Sequence, residues 1–140
     1  MRLTLHVCLK TAMVLCLALP ATAAAPPVVG TWEGMDDGVK AATLTVREDG
    51  GVLGGSAIFY IVHDEGSGAH TGAALPPMPM VGAAWDGAVL RFSVVTGKGK
   101  TGEGKSLAFE LRVTGEGKAE LYRPAQDGIP ELKVPLTRAR

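Results

Sequence analysis

Apolar and polar positions alternate with a period of two over most of this chain, the signature of strands that bury one face. The pattern is cleanest at Leu107-Ala108-Phe109-Glu110-Leu111-Arg112-Val113, where every odd position is apolar and the even ones are mostly polar. The same parity turns Leu44 and Val46 inward in 41–48, and Leu90, Phe92 and Val94 inward in 88–95. Leu132, Val134 and Leu136 line one face of the last segment. Between the segments lie Asp49-Gly50, Asp86-Gly87, Gly115-Glu116-Gly117 and Asp127-Gly128, whose glycines accept the positive backbone angles of tight hairpins. About eight strands follow, near 28–34, 40–48, 52–63, 80–85, 88–95, 106–114, 117–123 and 131–138. No window shows helical periodicity. The expected fold is all-β, a single antiparallel meander closed or nearly closed into a barrel, because closure removes exposed sheet edges.

Two connections are long: Asp64 to Pro79, rich in Gly, Ala and Pro, and Thr96 to Lys105, rich in Gly and Lys. Such loops on a barrel carry either binding or plain mobile surface. The segment 56–63 is apolar on both faces, with Ile58, Tyr60 and Val62 on one and Ala57, Phe59 and Ile61 on the other. One face lines the core. The other needs a cover, supplied by the 64–79 segment folding back or by another protein.

The first residues change the setting. Arg2 and Lys10 frame a positive start, Thr11 to Leu19 is an apolar run, and Ala21-Thr22-Ala23 offers the small residues of a cleavage site. Residues 1–23 are therefore expected to be a signal peptide and 24–140 the mature domain, exported to the periplasm or beyond. The apolar run is too short for a transmembrane helix, which needs roughly 20 residues, so no stable membrane insertion is expected after cleavage. Cys8 and Cys16 both fall in the leader, leaving the mature domain without a disulfide. Cys16 is a poor lipid-attachment site, since Leu15 precedes it where lipoprotein signals carry Gly or Ala. The chain has 14 basic and 14 acidic residues, and loss of Arg2 and Lys10 leaves a slightly acidic domain. With no dominant basic face, nucleic acid is not an expected partner.

Val29-Gly30-Thr31-Trp32-Glu33-Gly34, opening the mature domain, resembles the G-x-W first strand of lipocalins and of smaller lipocalin-like barrels of exported bacterial proteins. Pro135-Leu136-Thr137-Arg138 is similar to their final strand. The resemblance implies that Trp32 plugs one end of a barrel and that Arg138 packs over it.

Three motifs bear on chemistry. Gly99-Lys100-Thr101-Gly102-Glu103-Gly104-Lys105-Ser106 satisfies the G-x-x-x-x-G-K-[ST] phosphate-loop pattern, which works only when a helix N-terminus follows it. Here a period-two strand follows, so a hairpin connection is expected instead. His63, Asp64 and His70, near Met78 and Met80, carry the donor types of an extracytoplasmic copper site. The histidine spacing across a glycine-rich loop matches no rigid site, so no metal or cofactor is expected. Ser67 is outside a G-x-S-x-G elbow, and Asp36-Asp37 are adjacent in a turn, where neighbouring side chains diverge. The expectation is a non-enzymatic protein without catalytic residues.

The first expected role is carriage of a small apolar molecule by Leu75, Met78 and Met80 from the loop with Phe92 and Phe109 from the walls. The alternative is interaction with an exported protein through the outer apolar face of 56–63, and a copper site over His63 to Met80 ranks third. An interior filled by Leu44, Phe92, Phe109, Leu111 and Leu121 would favour the interaction surface over the carrier.

Overall fold

Alternating strands and tight turns produce ten antiparallel strands in the computed structural model, which describes residues 23–64, 66, 70–98 and 104–140. They are β1 (Gly30–Asp36), β2 (Val39–Asp49), β3 (Val52–Asp64), β4 (His70–Ala74), β5 (Met78–Pro79), β6 (Val81–Trp85), β7 (Val89–Lys98), β8 (Gly104–Gly115), β9 (Lys118–Arg123) and β10 (Leu132–Arg138). There is no helix among the described residues. The expected signal peptide lies outside them apart from Ala23.

The sheet runs in the order β4-β3-β2-β1-β10-β9-β8-β7-β6, with β5 paired to β3. Two points correct the sequence expectation: the strands number ten rather than about eight, and the hydrogen-bonded sheet is open. Both differences arise in the same stretch. The segment expected as a long loop, Asp64 to Pro79, contains β4 and β5, which pair along the edge of β3 from Asp64↔His70 to Ser56↔Pro79. It therefore extends the sheet sideways instead of folding back as a cover over β3. Pro76-Pro77 separates β4 from β5, since proline has no N–H to donate. After β5 the chain changes partner. Met80 N still donates to Gly55 O at 2.9 Å, but Val81 is already opposite Ser93 of β7. One continuous stretch thus gives its first half to β3 and its second to β7, bringing the two sides of the sheet together without a complete ladder between β3 and β6. A register shift between Val81 and Ala84 widens the break.

The β2–β3 hairpin shows how closely the strands approach. Gly50 and Gly51 both have positive φ, +57° and +83°, as the favoured two-residue hairpin turn requires. At Gly55, with φ +149°, a Cβ would sit 1.8 Å from the carbonyl oxygen of Thr45. Only glycine lets β3 bend there without pushing β2 away.

One core fills the inside of the curved sheet. Trp32, Leu44, Leu90, Leu111, Leu121 and Leu136 are completely buried, and among the described residues no polar or charged residue is buried with them. Curvature is shown by a stack of aromatic rings: Phe59 of β3 lies 5.1 Å from Phe109 of β8, and Phe109 lies 5.7 Å from Phe92 of β7. β3 and β8 are five places apart in the sheet, so their rings meet only because the sheet curls around the interior.

Candidate functional site

In an antiparallel meander alternate turns fall at the same end. The Asp37-Gly38 turn, the ends of β3 and β7, the starts of β4 and β8, and the segment 124–131 share one end, while the short turns at 50–51, 86–88 and 116–117 share the other. The two ends differ in what they hold.

The short-turn end is sealed around Trp32. Its ring is fully buried, and its Nε1 donates to Val28 O at 2.8 Å, so the indole's one polar atom is satisfied within the chain. Trp32 is the cross-strand neighbour of Arg138, whose guanidinium carbon lies 4.5 Å from the ring centroid. The same guanidinium donates to the carbonyl oxygens of Val29 and Pro27, tying the chain before β1 to the end of β10.

The long-loop end opens into a cleft of about 320 Å³. Its floor is Phe109, flanked by Phe59; Val94 and Leu107 form one wall, and Leu75 and Met78 form the lip. Of the residues expected from the sequence to hold an apolar ligand, Leu75, Met78 and Phe109 meet here. Met80 and Phe92 do not line this cleft; both are buried in the core, Phe92 beside Phe109 as its cross-strand partner. Leu44, Leu111 and Leu121 are buried as well, so the deep interior is packed with side chains, the outcome that weighs toward the interaction surface over a carrier; the space left for a ligand is at the mouth.

Polar groups at the cleft are few: Asp36, Tyr60, Thr96 and Arg123 border it. Thr96 Oγ1 donates to Lys105 O at 3.1 Å. Arg123 is the residue that the sequence reading missed. Its Nη2 donates to Pro130 O at 2.7 Å, and its guanidinium carbon lies 5.9 Å from the Phe109 centroid. Its Nε is buried and has no hydrogen-bond partner, the one such side-chain nitrogen or oxygen among the described residues. A buried donor without an acceptor costs on the order of 1–3 kcal/mol. The signal was available in the strand parity: in 119–123 the inward positions are Ala119, Leu121 and then Arg123, a charge where the alternation calls for an apolar residue.

The other sequence motifs are not assembled. His63 is opposite Thr71, and Asp64 is opposite His70, so the two histidines are not cross-strand partners. Among the described residues no group of three or more His, Cys, Asp or Glu is placed to hold a metal. Of the phosphate-loop pattern, 99–103 lies outside the described residues, while Gly104, Lys105 and Ser106 open the strand β8. Lys105 Nζ is 3.3 Å from the Asp127 carboxylate.

Outside the sheet, charges form a cross-strand row. Arg91 bridges Asp86 at 2.6 Å and Glu110 at 3.5 Å, and Arg112 bridges Glu110 at 2.7 Å and Glu120 at 3.5 Å. Arg112 also stacks 3.9 Å above the Tyr122 ring centroid. The hydrogen bond from Arg91, with those from the Ala88 and Val89 amides, holds the Asp86 carboxyl down at about 2. A carboxyl lowered in the folded state stabilises the fold above its ordinary value near 3.8, and the contribution disappears as pH falls through about 2. Melting temperatures recorded from pH 5 to pH 2 are therefore expected to fall more steeply for the wild type than for Asp86→Asn. Parallel curves would show that the carboxylate contributes nothing through its charge. The effect is small, because the group is fully solvated.

Comparison of the chain with family models, with curated proteins and with solved structures gives no match.

Proposed function

We propose that this chain is an exported, non-enzymatic binding protein of lipocalin-like type that takes one small apolar molecule at the long-loop mouth of its curved sheet. The observation that carries the reading is the apolar cleft of about 320 Å³ above the Phe59–Phe109 stack. That volume is at the lower end of the roughly 300–1,000 Å³ typical of small-molecule sites. A packed core below and a rim of few polar groups suit a compact apolar body better than a large or highly polar one. The Trp32–Arg138 contact at the opposite end supports the lipocalin-like assignment, and the leader-like residues 1–23 support export.

Titration with the neutral dye Nile red tests the site. Saturable fluorescence enhancement in the micromolar range is expected, lost in a Met78→Lys variant whose melting curve shows that it remains folded, since the change places a charge on the partly buried lip. Absence of dye binding by the wild type, or equal binding by the lysine variant, would count against the cleft.

A second reading is favoured by Val62, a large apolar residue of β3 that is 41% exposed and shares with Ile58 and Tyr60 the face opposite Phe59. Because β4 pairs at the edge of β3 instead of covering it, that face, whose Tyr60 and Val62 also border the cleft, remains available to an exported protein partner. A photocrosslinker at position 62 should then capture one defined partner in the exported fraction, whereas diffuse labelling would remove this alternative.

A further inference from the structure

We infer that the ligand is an amphipathic monoanion, a carboxylate on an apolar body, bound with its charged group on Arg123. The inference rests on the cleft reading above and specifies the ligand's chemistry. Three observations converge. Arg123 borders the cleft, on the inward parity of β9, so its stem belongs to the wall and its head to the rim. It forms no ion pair with a described residue, in contrast to Arg91, Arg112 and Lys105, whose carboxylates are 2.6, 2.7 and 3.3 Å away. Its Nε is buried and unsatisfied while its Nη2 rests on the Pro130 carbonyl.

An arginine always carries its charge, so a guanidinium beside apolar surface without a carboxylate is an unfilled half of an ion pair. If the Arg123 head swings off the exposed Pro130 carbonyl, leaving that oxygen to water and uncovering Nε, a carboxylate arriving side-on would accept from Nε and Nη2 together. That would supply the missing acceptor and neutralise the charge in one step. Asp36 also borders the cleft, but it is exposed, so water already solvates its charge and it makes no comparable demand for a partner. The remaining lining, with Phe59, Leu75, Met78 and Phe109, suits a hydrocarbon body. Two charges on the ligand would leave one of them against this apolar surface, which favours a single anionic group.

Competition against Nile red separates this inference from the cleft reading. Decanoate and decanol, which share a chain and differ in the head group, are titrated into dye-loaded wild type, Arg123→Gln and Arg123→Lys. In the wild type decanoate is expected to displace the dye at concentrations at least about tenfold lower than decanol, as fits a charge-assisted hydrogen-bonded pair. Arg123→Gln should lose the preference, read as the ratio of decanoate to decanol concentrations needed within that variant; Arg123→Lys should recover part of it, having the charge without the fork. Equal displacement by the two amphiphiles in the wild type overturns the inference and leaves the cleft standing, as does dye that neither displaces. A preference that survives in Arg123→Gln also overturns it. Failure of the dye, decanoate and decanol to bind at all, by fluorescence and by calorimetry, brings down the cleft reading as well. Should Arg123→Gln melt too low to be assayed, the wild-type preference and the lysine variant decide the matter.

Discussion

Trp32→Ala is expected to lower stability by about 3–5 kcal/mol, the range for deleting a large buried aromatic side chain. Trp32 is completely buried, and its neighbours Leu44 and Val28 are equally enclosed. The substitution also leaves Val28 O without its donor and removes the surface on which Arg138 lies. Urea unfolding followed by circular dichroism measures the loss. Arg138→Ala should cost less, because the side chain is exposed, and a double-mutant cycle should give a coupling of about 0.5–1 kcal/mol for an exposed cation–π pair. A Trp32→Ala loss under about 1 kcal/mol would mean that this end of the sheet is not held by the indole.

How much of this was legible in the chain depends on which force sets each feature. Wherever one face of a strand is buried, a slip of one residue would expose the whole apolar set, so the alternation specifies the strand and its orientation. That is why the stretch from Leu107 to Val113 and the inward Leu44, Phe92 and Leu136 were readable. The segment 70–79 was not, because its Gly, Ala and Pro carry little hydrophobic signal. There β4 and β5 exist through edge hydrogen bonds to β3, and backbone pairing leaves almost no trace in side-chain identity. The open path of the sheet has the same origin: Pro79 and the irregularity after Val81 interrupt a ladder that the alternation alone would continue. At the cleft, parity pointed to Phe109. Leu75 and Met78 were legible only as apolar loop residues, and Arg123 was overlooked because a charged residue at the end of a strand looks like an ordinary terminator.

Phe109→Ala is expected to cost about as much as the tryptophan substitution, roughly 3–5 kcal/mol, but through a different part of the molecule. Phe109 is the middle ring of three, stacked at 5.1 Å on Phe59 and at 5.7 Å on Phe92, and each such pair adds on the order of 0.5–1.5 kcal/mol beyond burial. Removing it severs the ring contact that joins β3 to β8 across the interior. It also extends the cleft downward into a space lined by Phe59, Phe92, Leu107 and Val94. Apolar cavities of this kind stay dry and accept compact hydrocarbons. Benzene should therefore bind Phe109→Ala and restore part of its lost melting temperature, by the mass-action stabilisation that any ligand selective for the folded state provides. The wild type, with the ring in place, should show no benzene-dependent shift of similar size. Thermal unfolding of both proteins with and without saturating benzene makes the comparison. If Phe109→Ala loses stability without responding to benzene, the ring supports the core but does not form the floor of a ligand-accessible cleft. If it loses less than about 1 kcal/mol, the stack does not hold the two sides of the curved sheet together.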